Sequence, residues 1–221
     1  MTFQPSDVYA AKRQELLEAE LTLMRQREAV AELRRGLPID SPVEDYSFVE
    51  GPADLGAGDD AEPVKLSSLF SAPDRTLIVY HFMFGKAQTQ PCPMCTMWTD
   101  GYNAVAPHVA QRVDFAVLAA ADIGRFRTYA RSRDWNNLRL LSADESTFKR
   151  DFSSEDDEGN QTPYISVFRL APDGSVRHFY TTGAQMTEEA WRGIDLLSPV
   201  WHLFDLTPEG RDDWYPSVRY P

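Results

Sequence analysis

The sequence has few cysteines, a deficit of positive charge and no long apolar run. Lys and Arg number 22 against 34 Asp and Glu, which gives a formal net charge of −12. This balance argues against nucleic acid as a partner, because neutralising phosphates requires a basic surface, and equally against an anionic membrane surface. The longest apolar run, residues 77–84, is interrupted by His81 and is far shorter than the roughly 20 residues of a membrane span.

The N-terminal residues contain no apolar stretch that could serve as a signal peptide, so we expect a cytoplasmic protein. The two cysteines are Cys92 and Cys95. In a reducing compartment, an isolated pair at this spacing is more often redox-active or metal-binding than a structural disulfide. A zinc site needs about four ligands, and no second pair of Cys or His residues has a suitable spacing. We therefore expect no metal and no cofactor, and the pair is either catalytic or structural.

The chain begins with a predicted helix over residues 7–35. Asp7 is a suitable N-cap, and a glycine and a proline, at positions 36 and 38, end the pattern. Such a helix must pack its apolar stripe either on its own domain or on a second subunit, and the second arrangement would make a homodimer. The stripe repeats every seven residues at Tyr9, Leu16, Leu23, Val30 and Leu37.

The rest of the chain alternates between predicted strands and helices. Residues 76–84 are apolar on both faces, which is typical of a central strand buried from both sides. The alternation predicts parallel strands with helices on both faces, and a terminal hairpin adds antiparallel strands, as in a thioredoxin-like mixed α/β sheet. The other predicted strands cover residues 46–49, 113–120, 138–142, 163–170 and 175–181, and the helices cover 92–111, 122–134 and 187–206.

We predict four parts in the chain. They are an N-terminal amphipathic helix (1–36), a linker with a short strand (37–63), a thioredoxin-like domain (64–206) and a C-terminal tail (207–221).

The two cysteines follow the predicted central strand, at the end where open α/β sheets place their reactive groups. Pro93 suits the first turn of a helix, which places Cys92 at or next to the N-cap. Free backbone N–H groups and the helix dipole favour a thiolate there. Cys95 lies one turn further along the same face. We predict that Cys92 attacks a substrate disulfide and that Cys95 resolves the mixed disulfide.

Four segments resemble a bacterial family of thioredoxin-like proteins catalogued as domain of unknown function 899. The resemblance extends over nearly the whole chain, and it implies a thioredoxin-like fold and a redox role without indicating a substrate. The matching segments are residues 34–38, residues 79–84, residues 92–98 together with Asp100, and residues 205–211.

Pro163 opens a predicted strand at the place where thioredoxin-like folds keep a proline, usually cis, that faces the cysteine pair. A cis bond there would let the backbone of Thr162 pair with an extended substrate. The sequence leaves open whether the bond is cis or trans.

The segment Thr89-Gln-Pro-Cys92 resembles the threonine and peroxidatic cysteine of peroxiredoxins. In that family the threonine hydroxyl and a distant arginine orient the peroxide. Here Gly85 stands where the motif has proline, and Arg169 lies well beyond the start of its strand. The hypotheses are therefore a dithiol oxidoreductase, a thiol peroxidase or a non-catalytic interaction module, with a disulfide-bearing protein or a small thiol or peroxide as partner.

Two further residues could support the chemistry. His81 could reach the thiols from the central strand, although a hydrogen-bonded core histidine is the favoured interpretation. Asp100 could accept the proton of Cys95 through water, although a capping or surface role is favoured.

Overall fold

The computed structural model describes residues 4–58, 60–73 and 75–220, and the chain divides into two compact units after Pro38. The first unit contains helix α1 (Asp7–Arg35), which confirms the predicted extent. The cap is Ser6 and not Asp7: the Ser6 hydroxyl accepts a hydrogen bond from the Tyr9 N–H at 3.2 Å, and Asp7 lies in the first turn. The four-part division of the chain stays a prediction.

The second unit, described by itself, is built on a mixed sheet. Among the described residues the strand order is β1-β8-β7-β4-β5-β6-β2-β3. The strands are β1 (Ser41–Pro42), β2 (Ser47–Glu50), β3 (Glu62–Lys65), β4 (Thr76–His81), β5 (Asp114–Ala119), β6 (Arg139–Ser142), β7 (Tyr164–Leu170) and β8 (Val176–Gly183). The α-helices of this unit are α2 (Pro93–Val109), α3 (Ile123–Ser132), α4 (Phe148–Asp151) and α5 (Pro199–Phe204).

The pairing of the strands confirms the predicted mixed sheet. Strand β4 lies in the middle, parallel to β5 and antiparallel to β7, and β5 is parallel to β6. Strands β7 and β8 form the predicted hairpin. The predicted short strand near residue 47 is β2, which pairs with β3 and β6, so part of the predicted linker belongs to the sheet.

Alternate side chains of β4 enter two hydrophobic cores, one on each face of the sheet. Tyr80 and, just after the strand, Phe82 pack in the core that contains residues of α2 and α3. Leu77 and Val79 pack in the opposite core with Phe148 of α4. This period of two explains why the strand reads as apolar on both faces. Within the described ranges, no helix combines the length and apolar composition that a membrane crossing requires.

The predicted helix over residues 187–206 is wrong in its extent, since the structure has only α5, preceded by a 3₁₀ turn at Asp195–Leu197. The chain at Gly193 crosses the end of β8, where its N–H donates to the Ala184 carbonyl at 2.9 Å. A Cβ at Gly193 would lie 2.2 Å from the Gly183 carbonyl oxygen. This close approach interrupts the helical pattern, and Pro199 then starts a new helix.

Candidate functional site

The site lies where β4 leads into α2. The chain leaves β4 through residues 82–91, and α2 begins at Pro93 with Cys92 as its N-cap, as predicted. Two backbone hydrogen bonds hold this connection: the Phe82 N–H donates to the Leu118 carbonyl at 2.8 Å, and the Cys92 N–H donates to the Met83 carbonyl at 3.1 Å. The first turn of α2 is thereby fixed against the end of the central strand.

Arg125 of α3 holds the outer part of the same connection. Its guanidinium donates to the Lys86 carbonyl at 2.8 Å and also to the Gln88 carbonyl, and it lies 4.9 Å from the centroid of the Phe84 ring. No sequence motif indicated a role for Arg125. Its contacts make it a structural support of the loop before the cysteines.

The two thiols are free and differ in burial. Cys92 is half-buried and Cys95 is fully buried. A hydrogen bond from the Cys95 thiol, offset in part by burial, is the main cause that lowers the pKa of Cys92 to about 6; backbone N–H groups and Tyr215 lower it further. Burial and then the neighbouring Cys92 raise the pKa of Cys95 well above its usual value. At neutral pH, Cys92 is therefore the thiolate and Cys95 the thiol.

Tyr215, from the C-terminal segment, contacts the sulfur of Cys92. Its hydroxyl lies 3.6 Å from the Sγ of Cys92. Burial and the hydrogen bond to Cys92 raise the pKa of Tyr215 to about 12, so the phenol keeps its proton and donates a hydrogen bond to the thiolate. Tyr215 was not predicted as a site residue, and the only sequence signal for it is the aromatic pair Trp214 and Tyr215.

Aromatic packing and ion pairs hold the C-terminal segment in place. The Trp214 ring meets Trp201 and Phe204 edge-on, with centroids 5.8 and 4.9 Å apart. The Arg211 guanidinium forms an ion pair with the Asp205 carboxylate at 2.8 Å. An apolar cavity of about 240 Å³ lies between this segment and the start of α2; Pro93, Met97, Val200, Trp214, Pro216 and Val218 are among its lining residues.

Lys149 of α4 is a second residue that the sequence analysis missed. It is fully buried, and its Nζ donates to the Phe82 carbonyl at 3.3 Å. Burial lowers the pKa of Lys149 to about 8, while Cys95 and Glu155 oppose this shift. No local sequence pattern predicts that this lysine is buried, because its partner, the Phe82 carbonyl, lies far away in sequence.

Pro163 lies at the same end of the sheet as the cysteines. Because Tyr164 pairs with His81 at the end of β4, Pro163 precedes β7 beside the connection to α2. The described residues contain no cis peptide bond, so the Thr162–Pro163 bond is trans. The Thr162 N–H already donates to the Ser154 carbonyl at 3.0 Å. Substrate binding at Thr162 and Pro163 stays a prediction.

His81 lies on the opposite face of the sheet from Tyr80. Its Nδ1 is 2.7 Å from the Ser154 hydroxyl and its Nε2 is 2.9 Å from the Ser166 hydroxyl. Its ring stacks on Phe148, with centroids 5.3 Å apart. Burial, then the nearby charge of Lys149, lowers the pKa of His81 well below its usual value. These contacts support the favoured interpretation of a hydrogen-bonded core histidine.

Asp100 belongs to a structural cluster. Its carboxylate pairs with the Arg133 guanidinium and accepts a hydrogen bond from the Trp135 Nε1 at 2.8 Å. The Tyr220 hydroxyl donates to it at 3.3 Å. These contacts support the favoured structural role of Asp100.

The arginine of the peroxidase hypothesis does not lie beside Cys92 as the motif would require. Thr89 is exposed. Arg169 donates to the hydroxyl of Thr76 at 3.1 Å, at the start of β4, whereas the cysteines follow its end. Across the described residues, no three His, Cys, Asp or Glu side chains lie close enough together to hold a metal ion.

Comparisons with known proteins agree with the fold. A family model described as "Bacterial protein of unknown function (DUF899)" matches residues 2–220, essentially the whole chain. No curated protein matches the sequence. A putative thioredoxin reductase from Burkholderia cenocepacia is similar in structure, with a TM-score of 0.50 and 13% identity over 73% of this chain and 96% of that chain. This similarity shows a thioredoxin-like fold.

Two peroxiredoxin structures are similar at lower scores. The reduced 2-Cys peroxiredoxin from Plasmodium vivax has a TM-score of 0.47 and 12% identity over 71% of this chain and 91% of its own. Reduced Prx3 from Vibrio vulnificus, solved in complex with H₂O₂, has a TM-score of 0.48 and 13% identity over 69% of this chain and 90% of its own.

Proposed function

The chain belongs to DUF899, a family of bacterial proteins of unknown function, and we propose that it is a thiol–disulfide oxidoreductase that uses Cys92 and Cys95. The contrast between the two thiols carries the proposal: the half-buried Cys92 has its pKa lowered to about 6, and the pKa of the buried Cys95 is raised. A reachable thiolate beside a protected thiol is what stepwise disulfide exchange requires.

The reaction is a two-electron exchange in two steps. The Cys92 thiolate attacks one sulfur of a substrate disulfide, a mixed disulfide forms, and the other substrate sulfur leaves as a thiolate. Cys95 then loses its proton to water and attacks the Cys92 sulfur, which releases the second substrate thiolate. The Cys92–Cys95 pair is thereby oxidised to a disulfide, and the substrate disulfide is reduced to two thiols.

We expect the substrate to be a disulfide-bearing protein or a small disulfide, in a reducing cytoplasm. The Tyr215 hydroxyl lies 3.6 Å from the Sγ of Cys92, and the apolar cavity is lined by the next residue in the chain, Pro93. An incoming disulfide therefore meets a mainly apolar surface with one hydrogen-bond donor. No cofactor is needed, because the two thiols supply both electrons.

Reduction of insulin by dithiothreitol, followed as turbidity, tests the proposal with two single-cysteine variants. Cys92→Ser removes the attacking thiolate, so we expect the rate to fall to that of dithiothreitol alone. Cys95→Ala keeps the attacking thiolate but cannot resolve the mixed disulfide. When the reduced variant is mixed with insulin after the dithiothreitol has been removed, it should therefore accumulate a covalent adduct with the substrate, visible by mass spectrometry. Equal activity in wild type and Cys92→Ser would contradict the proposal.

A thiol peroxidase would use the same Cys92, which peroxide would oxidise to a sulfenic acid for Cys95 to resolve. The positions of Thr89 and Arg169 support this alternative less well than the dithiol reaction. Peroxide consumption by the reduced protein distinguishes the two: a dithiol oxidoreductase consumes peroxide at the rate of a free thiol, and a peroxidase much faster. A non-catalytic interaction module would show neither activity.

We further propose that α1 joins two copies of the chain. Its apolar residues recur every seven positions, and a single helix cannot bury its own stripe. A heptad repeat of this kind is suited to packing against a second helix. The test of this proposal is the oligomeric state.

A further inference from the structure

One peptide group links the buried lysine of α4 to the buried thiol of α2. The Phe82 carbonyl accepts a hydrogen bond from the Lys149 Nζ at 3.3 Å. The N–H of the same peptide belongs to Met83, and its hydrogen bond to Cys95 favours the Cys95 thiolate. In a trans peptide the C=O and N–H point in opposite directions, so this peptide lies between the ammonium and the sulfur.

We infer that Lys149 is a positioning residue which stabilises the Cys95 thiolate through the Phe82–Met83 peptide when Cys95 resolves the mixed disulfide. The inference rests on the proposed function, because it assigns a residue to the second step of that reaction. Lys149 is distant in sequence from both cysteines, and its charge acts on that second step.

Lys149 acts on Cys95 by polarising this peptide group in an interior from which water is excluded. A cation on a carbonyl oxygen draws electron density from the peptide and makes its N–H a stronger donor, and such effects are larger where water is excluded. Cys95 favours the charged form of Lys149. Since coupling between two sites is reciprocal, the charge of Lys149 in turn favours the Cys95 thiolate.

Burial of this lysine also needs a reason. A buried ammonium is destabilising relative to an apolar side chain of similar volume, and a methionine would fill the same space. Burial lowers the pKa of Lys149 only to about 8, so the amine is still mostly charged at neutral pH. A charge retained at this cost, on the peptide group whose N–H faces Cys95, fits a role in the chemistry of that thiol.

Other ionisable groups face the same two residues. Around Cys95 they are uncharged phenols and the attacking cysteine, which becomes neutral once it forms the mixed disulfide. Around Lys149 they are a carboxylate and a neutral imidazole. The groups facing Cys95 are Cys92, Tyr80, Tyr102 and Tyr215, and those facing Lys149 are Glu155 and His81.

A single-turnover reaction with one equivalent of 5,5′-dithiobis(2-nitrobenzoate) separates the two steps. Attack by Cys92 releases the first equivalent of the yellow nitrothiobenzoate anion, and attack by Cys95 on the mixed disulfide releases the second. The variants are Lys149→Met, which removes the charge at similar volume, and Lys149→Gln, which keeps an N–H donor. The matched control is Lys65→Met, since Lys65 is exposed and donates to the Asp45 carbonyl at 3.1 Å.

We expect both Lys149 variants to slow the second phase about ten-fold, which corresponds to one unit in the pKa of the attacking thiol, and to change the first phase by less than about two-fold. The control should match wild type in both phases. Thermal unfolding of each variant checks that the fold is intact.

The pH profile adds a measurement that a merely structural role would not change. In wild type the second-phase rate should rise ten-fold per pH unit at first and more slowly above about pH 8, where Lys149 loses its charge. In the variants the ten-fold rise should continue through pH 8. A second phase unchanged in rate and profile, with two equivalents released by wild type, would overturn the role of Lys149 alone. Release of one equivalent by wild type would overturn the proposed function, and this inference with it.

Discussion

One helical turn separates two thiols of opposite character, and the residues around each explain the difference. The Cys92 sulfur is half-buried, and three kinds of donor surround it: the Cys95 thiol, backbone N–H groups and the Tyr215 hydroxyl. The Cys95 sulfur lies in the aromatic core and is fully buried. Donors favour a thiolate and burial disfavours it, so the positions of the two thiols agree with the order of attack and resolution that we propose.

Tyr215→Phe removes one donor from the reactive sulfur without changing the ring. We expect the pKa of Cys92, about 6 in wild type, to rise by roughly half a unit to one unit, since a hydrogen bond to a charged group is lost. The measurement is the rate of alkylation by iodoacetamide against pH, which should rise through the pKa and level off above it. Tyr220→Phe is the control, because the Tyr220 hydroxyl bonds Asp100; an unchanged midpoint in Tyr215→Phe would contradict the contact.

His81 should make the fold sensitive to acid. Its native pKa is lowered well below 6.5, so between that value and 6.5 the unfolded state binds a proton that the native state does not. Stability therefore falls as the pH drops below about 6.5, by about 1.4 kcal/mol per pH unit for one proton. Urea unfolding at several pH values should show a shallower slope in His81→Gln. The exposed His108→Gln is the control, and equal slopes in His81→Gln and wild type would contradict the assignment.

At the scale of elements, sequence patterns predicted the strands and helices whose structure depends mainly on neighbouring residues. The apolar run of β4, the alternation of strands and helices and the start of α2 at Pro93 could be predicted, because periodicity and proline placement are local properties. The predicted helix over residues 187–206 failed because the contact of Gly193 with the end of β8 is tertiary. Tyr215 and Lys149 escaped prediction for the same reason, since their partners, Cys92 and Phe82, lie far away in sequence.

The C-terminal segment should control access to the reactive thiol. Trp214 anchors this segment by edge-on packing against Trp201 and Phe204. Trp214→Ala should therefore weaken the attachment of the C-terminal segment by about 2 kcal/mol, which is less than the loss expected for a fully buried tryptophan. We expect the plateau rate of Cys92 alkylation to rise while its midpoint moves to higher pH, because the sulfur loses both its cover and the Tyr215 donor. A change of rate without a change of midpoint would mean that Tyr215 stays in place.

At the scale of the whole molecule, the two compact units differ in what they can bury. The second unit has two cores on a mixed sheet, which is enough for an independent fold. The first is a single helix with an apolar stripe, and an isolated helix is at best marginally stable in water. Its stability must therefore come from packing against another surface, and the seven-residue repeat favours a second copy of α1.

Leu23→Asp in the full chain tests this assembly. A carboxylate in the apolar seam should cost about 3 kcal/mol per dimer or more, so the dissociation constant should rise at least about a hundred-fold. Sedimentation velocity over a range of concentrations measures the change, and Gln14→Asp, which adds the same charge on the opposite side of the helix, is the control. Because the thiols belong to the second unit, the stoichiometry of thiol titration should be unchanged in both variants. A Leu23→Asp protein that keeps the wild-type oligomeric state would mean that α1 does not join two copies.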